Sequence, residues 1–306
     1  MKVAAIDIGT NTTRLLIIDS VSMKVLEKVR TITRLGENFN GILQDNAKAR
    51  VLKTLENYKN IMKKHSVNLY RAVATSVIRE SANGKKFVEE VYDKLRLKID
   101  IISGKEEAEL TFLGVLSVLD KNIENFLLLD IGGGSNEYSL AKNRTLIKSI
   151  SEKFGVVFLY EKFIHHDPPK NSEIKNASTE ISKFLTQIKN KFSASLPKQL
   201  YFVGTAGTIT TLSAIYQNLK IYKPELINNH KIPKSFINKL LNEMLLMTNF
   251  ERFEKYNIEK GREDVILIGL LIVKHTMETF GFNEIISIDA SLLEGVAFDL
   301  LKHKNK

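Results

Sequence analysis

The sequence predicts an α/β protein of two domains, and three observations support this prediction. The chain has 306 residues, twice the roughly 150 residues of a common domain. Apolar segments typical of strands alternate with segments of helical periodicity, which favours a layered α/β fold. An apolar run ending in Asp-Ile-Gly occurs at Asp7 and again at Asp130. The chain is therefore interpreted as internally duplicated at the level of domains.

The elements of the first half follow from apolar runs, helical spacing and one capping pattern. Apolar residues at Val51, Leu55, Tyr58 and Met62 have the near-3.6 period of an amphipathic helix. Ser103-Gly104-Lys105-Glu106 fits a capping box, in which Ser precedes the helix and Glu comes three residues later. The predicted strands are 3–6, 15–18, 25–32, 69–74 and 98–102, the predicted helices are 46–64, 84–95 and 103–119, and 75–79 is predicted as a loop.

The second half starts again after a polar break at 120–125. Asp167-Pro168-Pro169 interrupts regular structure, because proline cannot donate a backbone hydrogen bond. The predicted strands are 126–129, 137–140, 200–203 and 284–288, and the predicted helices are 172–192, 210–216, 234–247, 262–280 and 292–302.

Composition excludes several classes of protein. Hydrophobic residues make up 43% and charged residues 26% of the chain, which is enough apolar surface for a globular fold. No cysteine is present, which excludes disulfides, thiolate metal sites and a cysteine nucleophile. The longest apolar stretch, 265–273, is far shorter than the roughly 20 residues that span a bilayer, and the start carries no signal-peptide pattern. We therefore expect a soluble cytoplasmic protein without a membrane partner.

The formal net charge of +10 favours an anionic partner. Nucleic acid, a membrane surface and a multiply phosphorylated small molecule all fit the charge, and composition does not choose among them. Much of the charge is also expected to be ordinary solvated surface. Only the tail from Lys302 to Lys306 is a dense basic run.

Each Asp-Ile-Gly turn combines a carboxylate with glycine and small hydroxyl residues. Glycine lets backbone N–H groups approach an anion, and the carboxylate can hold a divalent metal or a water. A plain hairpin turn explains one copy about equally well, but two copies favour two loops that grip one phosphate group. A dinucleotide site is excluded because Gly132-Gly133-Gly134 precedes a strand-like segment instead of a helix. A Walker loop is also absent from the sequence around Gly104-Lys105.

Six motifs in order carry a family resemblance over essentially the whole chain. They are DIGTNTTRLLI, ATSVIRE, ISGKEEAEL, LLLDIGGGSNEYSL, FVGTAGTITTL and GREDVILIG. In these motifs the chain resembles the exopolyphosphatase and guanosine pentaphosphate phosphatase family (Ppx/GppA), within the superfamily of actin, sugar kinases and heat-shock ATPases. ISGKEEAEL followed by DIGGGSNE narrows the resemblance from the superfamily to this branch.

The resemblance implies two ribonuclease-H-like domains that face a cleft, with Mg²⁺ as cofactor and hydrolysis of a terminal phosphoanhydride bond. The final helix is expected to pack on the first domain, as in related folds. The predicted domains are thus 1–120 plus about 292–306, and 121–291.

The resemblance also implies roles for individual residues. Glu107 matches the glutamate that activates the attacking water, and Glu137 matches an acidic residue close to metal and water. Arg79 and Arg262 match arginines that neutralise phosphate oxygens. The metal is assigned to Asp7, Asp130 and Glu137. The phosphate is assigned to Asp7, Gly9, Thr10 and Asn11 in the first loop, to Asp130, Gly132, Gly133, Gly134 and Ser135 in the second, and to Gly204, Gly207 and Thr208 in a third.

Plainer interpretations of these residues stay open at the level of sequence. Adjacent Glu106 and Glu107 point about 100° apart on a helix, so Glu106 is expected to serve helix capping, and Glu107 could serve the helix dipole alone. Arg79 and Arg262 could form ordinary ion pairs. The segment from Gly204 to Thr208 places N–H groups at a helix N-terminus, a natural anion site, but it could also be a simple strand-to-helix turn. The histidines show no metal-ligand spacing.

The sequence departs from the family pattern at several positions. Ala206 replaces a usual glycine, Leu293 a usual arginine and Asn136 a usual threonine. The chain stops at Lys306, whereas long members add a helical region that helps hold long polyphosphate. We therefore expect short polyphosphate or pppGpp to be at least as good a substrate as long chains.

The predicted function is release of orthophosphate from polyphosphate, conversion of pppGpp to ppGpp, or both. A kinase or ATPase of the wider superfamily is the rival enzyme, and a non-catalytic sensor of ppGpp or polyphosphate is the rival binding protein. Nucleic-acid binding ranks last, because no motif for it is present. The oligomeric state is left open, with a homodimer as one option.

Overall fold

A computed structural model describes residues 1–304, and its contacts divide the chain into two compact units. The first unit comprises Met1–Ser117, Gly132–Gly134 and the chain from Ala290 onward, and the second comprises Val118–Ile131 and Ser135–Asp289. Asn305 and Lys306, which the sequence assigns to the first domain, lie outside the described residues.

Strands and helices alternate along both units. The strands are β1 (Lys2–Ile8), β2 (Thr12–Asp19), β3 (Val25–Ile32), β4 (Leu69–Ala74), β5 (Asp100–Ile101), β6 (Phe126–Ile131), β7 (Asn136–Lys142), β8 (Thr145–Glu152), β9 (Tyr201–Thr205), β10 (His230–Pro233) and β11 (Glu284–Ser287). The helices are α1 (Asp45–Lys64), α2 (Ser76–Glu80), α3 (Gly84–Leu95), α4 (Gly104–Leu116), α5 (Val156–Phe163), α6 (Asn171–Phe192), α7 (Ala206–Tyr216), α8 (Pro224–Ile227), α9 (Lys234–Met244), α10 (Asn249–Tyr256), α11 (Ile266–Phe280) and α12 (Leu292–Lys304), with a 3-10 turn at Ser193–Ser195.

The first unit is built on a five-stranded sheet in the order β3-β2-β1-β4-β5. β1 pairs antiparallel with β2 and parallel with β4. Residues 3–8 of β1 are all buried, which is typical of a strand covered on both faces. The apolar sequence of this strand therefore suits its central place in the sheet.

Helices cover both faces of the first sheet. On one face, the predicted stripe of α1 at Val51, Leu55, Tyr58 and Met62 is buried in the core. On the other face, residues of α12 pack with β1, β2 and Leu110 of α4. The final helix therefore packs on the sheet of the first unit.

The second unit repeats this topology with one strand more. Its six-stranded sheet has the order β10-β11-β9-β6-β7-β8, so β8-β7-β6-β9-β11 corresponds to β3-β2-β1-β4-β5. The strand β6 pairs antiparallel with β7 and parallel with β9, as β1 does with β2 and β4. One large core joins this sheet to α5, α6, α7, α9 and α11. The predicted pair of ribonuclease-H-like α/β domains is confirmed at the level of fold.

The structure corrects several predicted elements. The segment 75–79, predicted as a loop, overlaps the single-turn helix α2, which is too short to show a period in the sequence. The predicted helix at 262–280 begins only at Ile266, so Arg262 lies before it. Five elements were not predicted from the sequence, namely α5, α8, α10, β8 and β10.

None of the helices described for residues 1–304 combines the length and the apolar composition needed to cross a bilayer.

Candidate functional site

The two Asp-Ile-Gly motifs occupy equivalent positions in two hairpins. Asp7 of β1 lies opposite Arg14 of β2, and Asp130 of β6 lies opposite Glu137 of β7. Directly opposite residues of antiparallel strands project from the same face of the sheet. The sequence duplication thus extends to the register, but the aspartate faces a base in one hairpin and an acid in the other.

Asp7 is a buried carboxylate with one satisfied oxygen. Its side chain is 3% exposed, and Oδ2 accepts a hydrogen bond from Arg14 Nε at 2.7 Å. The other oxygen, Oδ1, is buried and has no hydrogen-bond partner among the described residues. Because burial of an unsatisfied charged oxygen is costly, Oδ1 is suited to a water or a cation.

Arg14 was not identified by the sequence analysis. Its Nη1 donates to Ser291 Oγ at 2.8 Å, so the side chain joins β2 to the start of α12 within the first unit. Hairpin register could have identified Arg14, since a turn that pairs Ile8 with Thr13 also pairs Asp7 with Arg14. Ser291 is 277 residues from Arg14, and no local pattern indicates its contact.

The first predicted phosphate loop is held through its backbone. Two N–H groups of the segment 33–36 donate to Asn11 O at 3.0 and 2.9 Å, and a third donates to Thr10 O at 2.9 Å. The Gly9 N–H closes the turn on Thr12 O at 3.0 Å. These backbone hydrogen bonds to the carbonyl oxygens of residues 10–12 hold the loop in place.

Two glycines of the second loop are required by close approach. A Cβ at Gly133 would lie 2.9 Å from Thr10 Cβ, and one at Gly134 would lie 2.7 Å from Ser76 Oγ. These distances are shorter than real Cβ contacts, so any larger residue at either position would displace the loop. Gly132–Gly134 group with the first unit through such contacts.

Glu137 is the more deeply buried member of an acidic pair. It is 2% exposed, and Asp130 opposite it is 8% exposed. Glu137 Oε1 accepts hydrogen bonds from Ser135 Oγ and Ser151 Oγ, each at 2.7 Å. Ser151 lies on β8, which the sequence analysis did not identify as a strand.

The Asp130–Glu137 pair fits a divalent cation. Like charges directly opposite each other destabilise a sheet, and a cation would offset their repulsion. Mg²⁺ prefers oxygen ligands and commonly takes one or two carboxylates together with water and substrate phosphates. Among residues 1–304, no group of three or more His, Cys, Asp or Glu side chains is arranged to hold a metal ion.

Glu107 and Glu106 have different surroundings, as their angular separation on α4 predicts. Glu107 is 7% exposed, and its Oε2 accepts from Arg79 Nη1 at 3.1 Å. The same Nη1 donates to Ile102 O at 2.8 Å, which anchors the arginine to the backbone before α4. Arg79 is thereby placed beside Glu107 within the first unit.

Glu106 belongs to an ion cluster around Arg71. Arg71 donates to Glu106 Oε1 at 2.6 Å and to Asp299 Oδ2 at 2.7 Å. Partial burial would lower the pKa of the Arg71 guanidinium, but the hydrogen bond to Glu106 and the nearby carboxylates outweigh it and raise the pKa. The capping contact itself comes from Ser103 Oγ, which accepts from the Glu106 backbone N–H at 3.1 Å. The Glu106 side chain thus joins α4 to β4 and α12 through Arg71, and the expectation that it caps the helix is wrong.

Arg262 lies against the third predicted loop. Its Nε donates to Glu259 Oε2 at 2.7 Å, and a Cβ at Gly207 would overlap its guanidinium. Gly207 is therefore needed for the arginine to reach the start of α7. The structure brings Arg262 and Gly207 together within the second unit, although they are 55 residues apart in the sequence.

The rest of this loop joins β9 directly to α7. Gly204 packs closely, because a Cβ there would lie 2.7 Å from Ile285 Cδ1. Ala206 begins α7 with φ of 70°, and Thr208 is buried at 5% exposure. The turn therefore presents a helix N-terminus next to Arg262, and both favour an anion.

Two departures from the family pattern have a structural explanation. Leu293 is fully buried in the core that α12 forms with the first sheet, so apolar packing occupies the position of the usual arginine. Asn136 is also buried, and its Nδ2 donates to Phe154 O at 2.8 Å. This contact ties β7 to the start of the segment before α5.

Comparisons with known proteins agree on one family. The Ppx/GppA phosphatase family profile matches residues 16–304. The chain is 31% identical to Exopolyphosphatase 2 of Mycobacterium tuberculosis over 98% of both proteins. It is 33% identical to a bifunctional 3-dehydroquinate synthase/phosphatase of Fusobacterium nucleatum over 96% of its length, and spans 46% of that protein. The crystal structure of the Aquifex aeolicus family member is 31% identical and superposes with a TM-score of 0.84, covering 100% of this chain and 99% of that one. The resemblance inferred from the motifs is thus confirmed, and the chain belongs to the Ppx/GppA phosphatase family.

Proposed function

We propose that this chain hydrolyses terminal phosphoanhydride bonds, releasing orthophosphate from inorganic polyphosphate, from pppGpp, or from both. The observation that carries the proposal is the family match over residues 16–304. The buried acidic groups Glu107, Asp130 and Glu137 support it, because binding an anion alone gains nothing from buried carboxylates.

Glu107 is proposed as the general base. It accepts the proton of a water whose oxygen attacks the terminal phosphorus, and the bond from that phosphorus to the bridging oxygen breaks. Arg79 lies 3.1 Å from Glu107, and it is proposed to orient the carboxylate and to neutralise phosphate oxygens. A positioned base of this kind contributes roughly 10²–10⁴-fold to a rate.

The phosphates are proposed to bind at backbone loops and arginines. Backbone N–H groups in glycine-rich turns stabilise anions, which suits the loops at Gly9–Asn11 and Gly132–Ser135. In the second unit, Arg262 and the start of α7 at Gly207 offer a further anion site. Each of these elements would neutralise charge on the phosphate that it binds.

Asp130 and Glu137 are proposed to hold Mg²⁺ in the second unit, and Asp7 Oδ1 is proposed to bind a cation or a water in the first unit. The cation would supply charge neutralisation at the phosphate oxygens. Asp7 Oδ1 is suited to this because it is buried without a hydrogen-bond partner in the described part of the chain. The Arg14 contact at Oδ2 keeps that carboxylate oriented.

Phosphate release from four substrates tests the proposal. Long polyphosphate, short polyphosphate, pppGpp and ATP are each incubated with the purified protein, without any acceptor and with or without excess EDTA. We expect release from polyphosphate or pppGpp and its loss in EDTA. Turnover of ATP alone would favour the kinase or ATPase alternative, binding without release would favour a sensor, and full activity in EDTA would exclude the cation.

A further inference from the structure

Glu137 occupies the middle of a row of three residues across the second sheet. The strand β7 lies between β6 and β8. Glu137 faces Asp130 of β6 on one side and Ser151 of β8 on the other. The three side chains therefore project from the same face of the sheet.

Both hydroxyl contacts of Glu137 reach the same oxygen atom. Ser135 Oγ and Ser151 Oγ each donate to Oε1 at 2.7 Å. Ser135 belongs to the loop that leads into β7, whereas Ser151 comes from the neighbouring strand. Two donors from different elements fix both the position and the plane of the carboxylate, whose terminal torsion is otherwise broad.

We infer that Ser151 is a positioning residue, which holds the Glu137 carboxylate in the orientation that binds the divalent cation. The inference rests on the proposed function, because the cation site belongs to it. Nothing in the sequence motifs points to Ser151, which lies outside all six of them.

Ser151 has a structural role that Ser135 does not share. Asp130 and Glu137 are like charges on adjacent strands, and their repulsion favours rotation of the Glu137 carboxylate. The Ser151 hydroxyl holds Oε1 from the β8 side, opposite to Asp130. Loss of the hydroxyl removes one of the two serine donors to Oε1, so the carboxylate gains freedom and the cation loses a prearranged ligand.

The Ser151 side chain can be changed without disturbing the core. Ser151 is exposed, although its hydroxyl reaches a buried carboxylate. Ser151→Ala removes the hydroxyl, and Ser151→Thr keeps it with a residue that suits a strand. Ser149→Ala is the matched control, because Ser149 is on the same face of β8 two residues away and pairs with Ser139.

The test measures Mn²⁺ binding by the loss of the free-ion electron paramagnetic resonance signal, together with kcat, KM and thermal unfolding. We expect Ser151→Ala to weaken Mn²⁺ binding and lower kcat by about 10-fold, the usual cost of losing a group that orients a metal ligand. KM for the phosphate substrate and the unfolding midpoint should stay within error. Ser151→Thr should restore most of the binding, and Ser149→Ala should match the wild type.

Three outcomes would overturn the inference: equal Mn²⁺ binding in Ser151→Ala and Ser149→Ala, no rescue by Ser151→Thr, or no Mn²⁺ binding by the wild type. A wild type that binds Mn²⁺ but releases no phosphate would instead contradict the proposed function. In that case the Mn²⁺ titrations would still decide the role of Ser151.

Discussion

Ala206 carries a left-handed backbone at the junction of β9 and α7. Its φ is 70°, a conformation that costs an L-residue about 1–2 kcal/mol and that glycine adopts without steric strain. The turn geometry thus favours glycine at this position. It also shows that the alanine keeps the fold of the loop at the expense of local strain.

We predict that Ala206→Gly stabilises the protein by about 0.5–1 kcal/mol, because relief of strain exceeds the entropy cost of glycine. Urea unfolding measures the change. Ala214→Gly, in the interior of the same helix, is the control and should destabilise by about 1 kcal/mol. Loss of stability in both variants would contradict the strained backbone at Ala206.

Glu173 makes a pH-dependent contribution to the stability of the protein at the start of α6. The hydrogen bond from His166 at 2.8 Å, with backbone N–H groups of Lys170 and His165, lowers the pKa of this carboxyl to about 2. A depressed folded-state pKa stabilises the protein above the unfolded value of 4.5, and this stabilisation is lost as pH falls toward 2.

Glu173→Gln should therefore destabilise the protein most above about pH 5, and its difference from the wild type should shrink as the pH is lowered. Urea unfolding between pH 7 and the acid limit of stability measures the difference. Glu180→Gln on the same helix, whose ion pair with Lys162 is exposed, should have little effect. A difference that stays constant down to low pH would contradict the assigned contacts.

The site residues differ in how far sequence could predict them. Glu106 and Glu107 were separable because their angle on a helix follows from their spacing. Arg14 needed the register of the hairpin. The contacts Arg14–Ser291 and Arg262–Gly207 are made by residues far apart in the chain, so only the folded structure brings them together.

At the scale of elements, α4 and α12 cross at two glycines. A Cβ at Gly295 would overlap Leu110 O, and one at Gly114 would overlap Ser291 O. Both glycines lie inside helices, where alanine is ordinarily favoured by about 1 kcal/mol. The backbones must therefore approach closely enough for packing to override helix propensity.

We predict that Gly295→Ala and Gly114→Ala each destabilise the protein, by about 1–3 kcal/mol, the usual cost of overpacking. The sign of the change in stability distinguishes overpacking from helix propensity, because helix propensity alone predicts that alanine stabilises the protein. Urea unfolding of both variants measures it. A gain in stability would show that the two helices do not approach as closely as described.

Helices and strands were predicted correctly where the segment is long enough for its hydrophobic period to be recognised. The helix 84–95 and the strands 25–32 and 69–74 match the structure at both ends. The helix α2 has five residues, too few for a hydrophobic period to appear. The strand β10 has four residues and owes its conformation to pairing with β11, which local sequence does not reveal.

At the scale of the whole molecule, duplication has produced two units of one topology with different chemistry. The repeated Asp-Ile-Gly motif predicted the duplication, and the resemblance implied two ribonuclease-H-like domains. The difference between Arg14 and Glu137 at equivalent register positions was not predicted. It gives the first hairpin an internal ion pair and the second a pair of acids suited to a cation.

The turnover of Glu107→Gln on polyphosphate or pppGpp tests the central claim most directly, with Glu106→Gln as its matched control. Glu107 lies beside Arg79, whereas Glu106 lies in the Arg71 ion cluster. Loss of the general base should lower kcat by roughly 10²–10⁴-fold, with the unfolding midpoint and substrate binding retained. Glu106→Gln should lower kcat far less. Equal losses in both variants, or full turnover by Glu107→Gln, would contradict hydrolysis through Glu107.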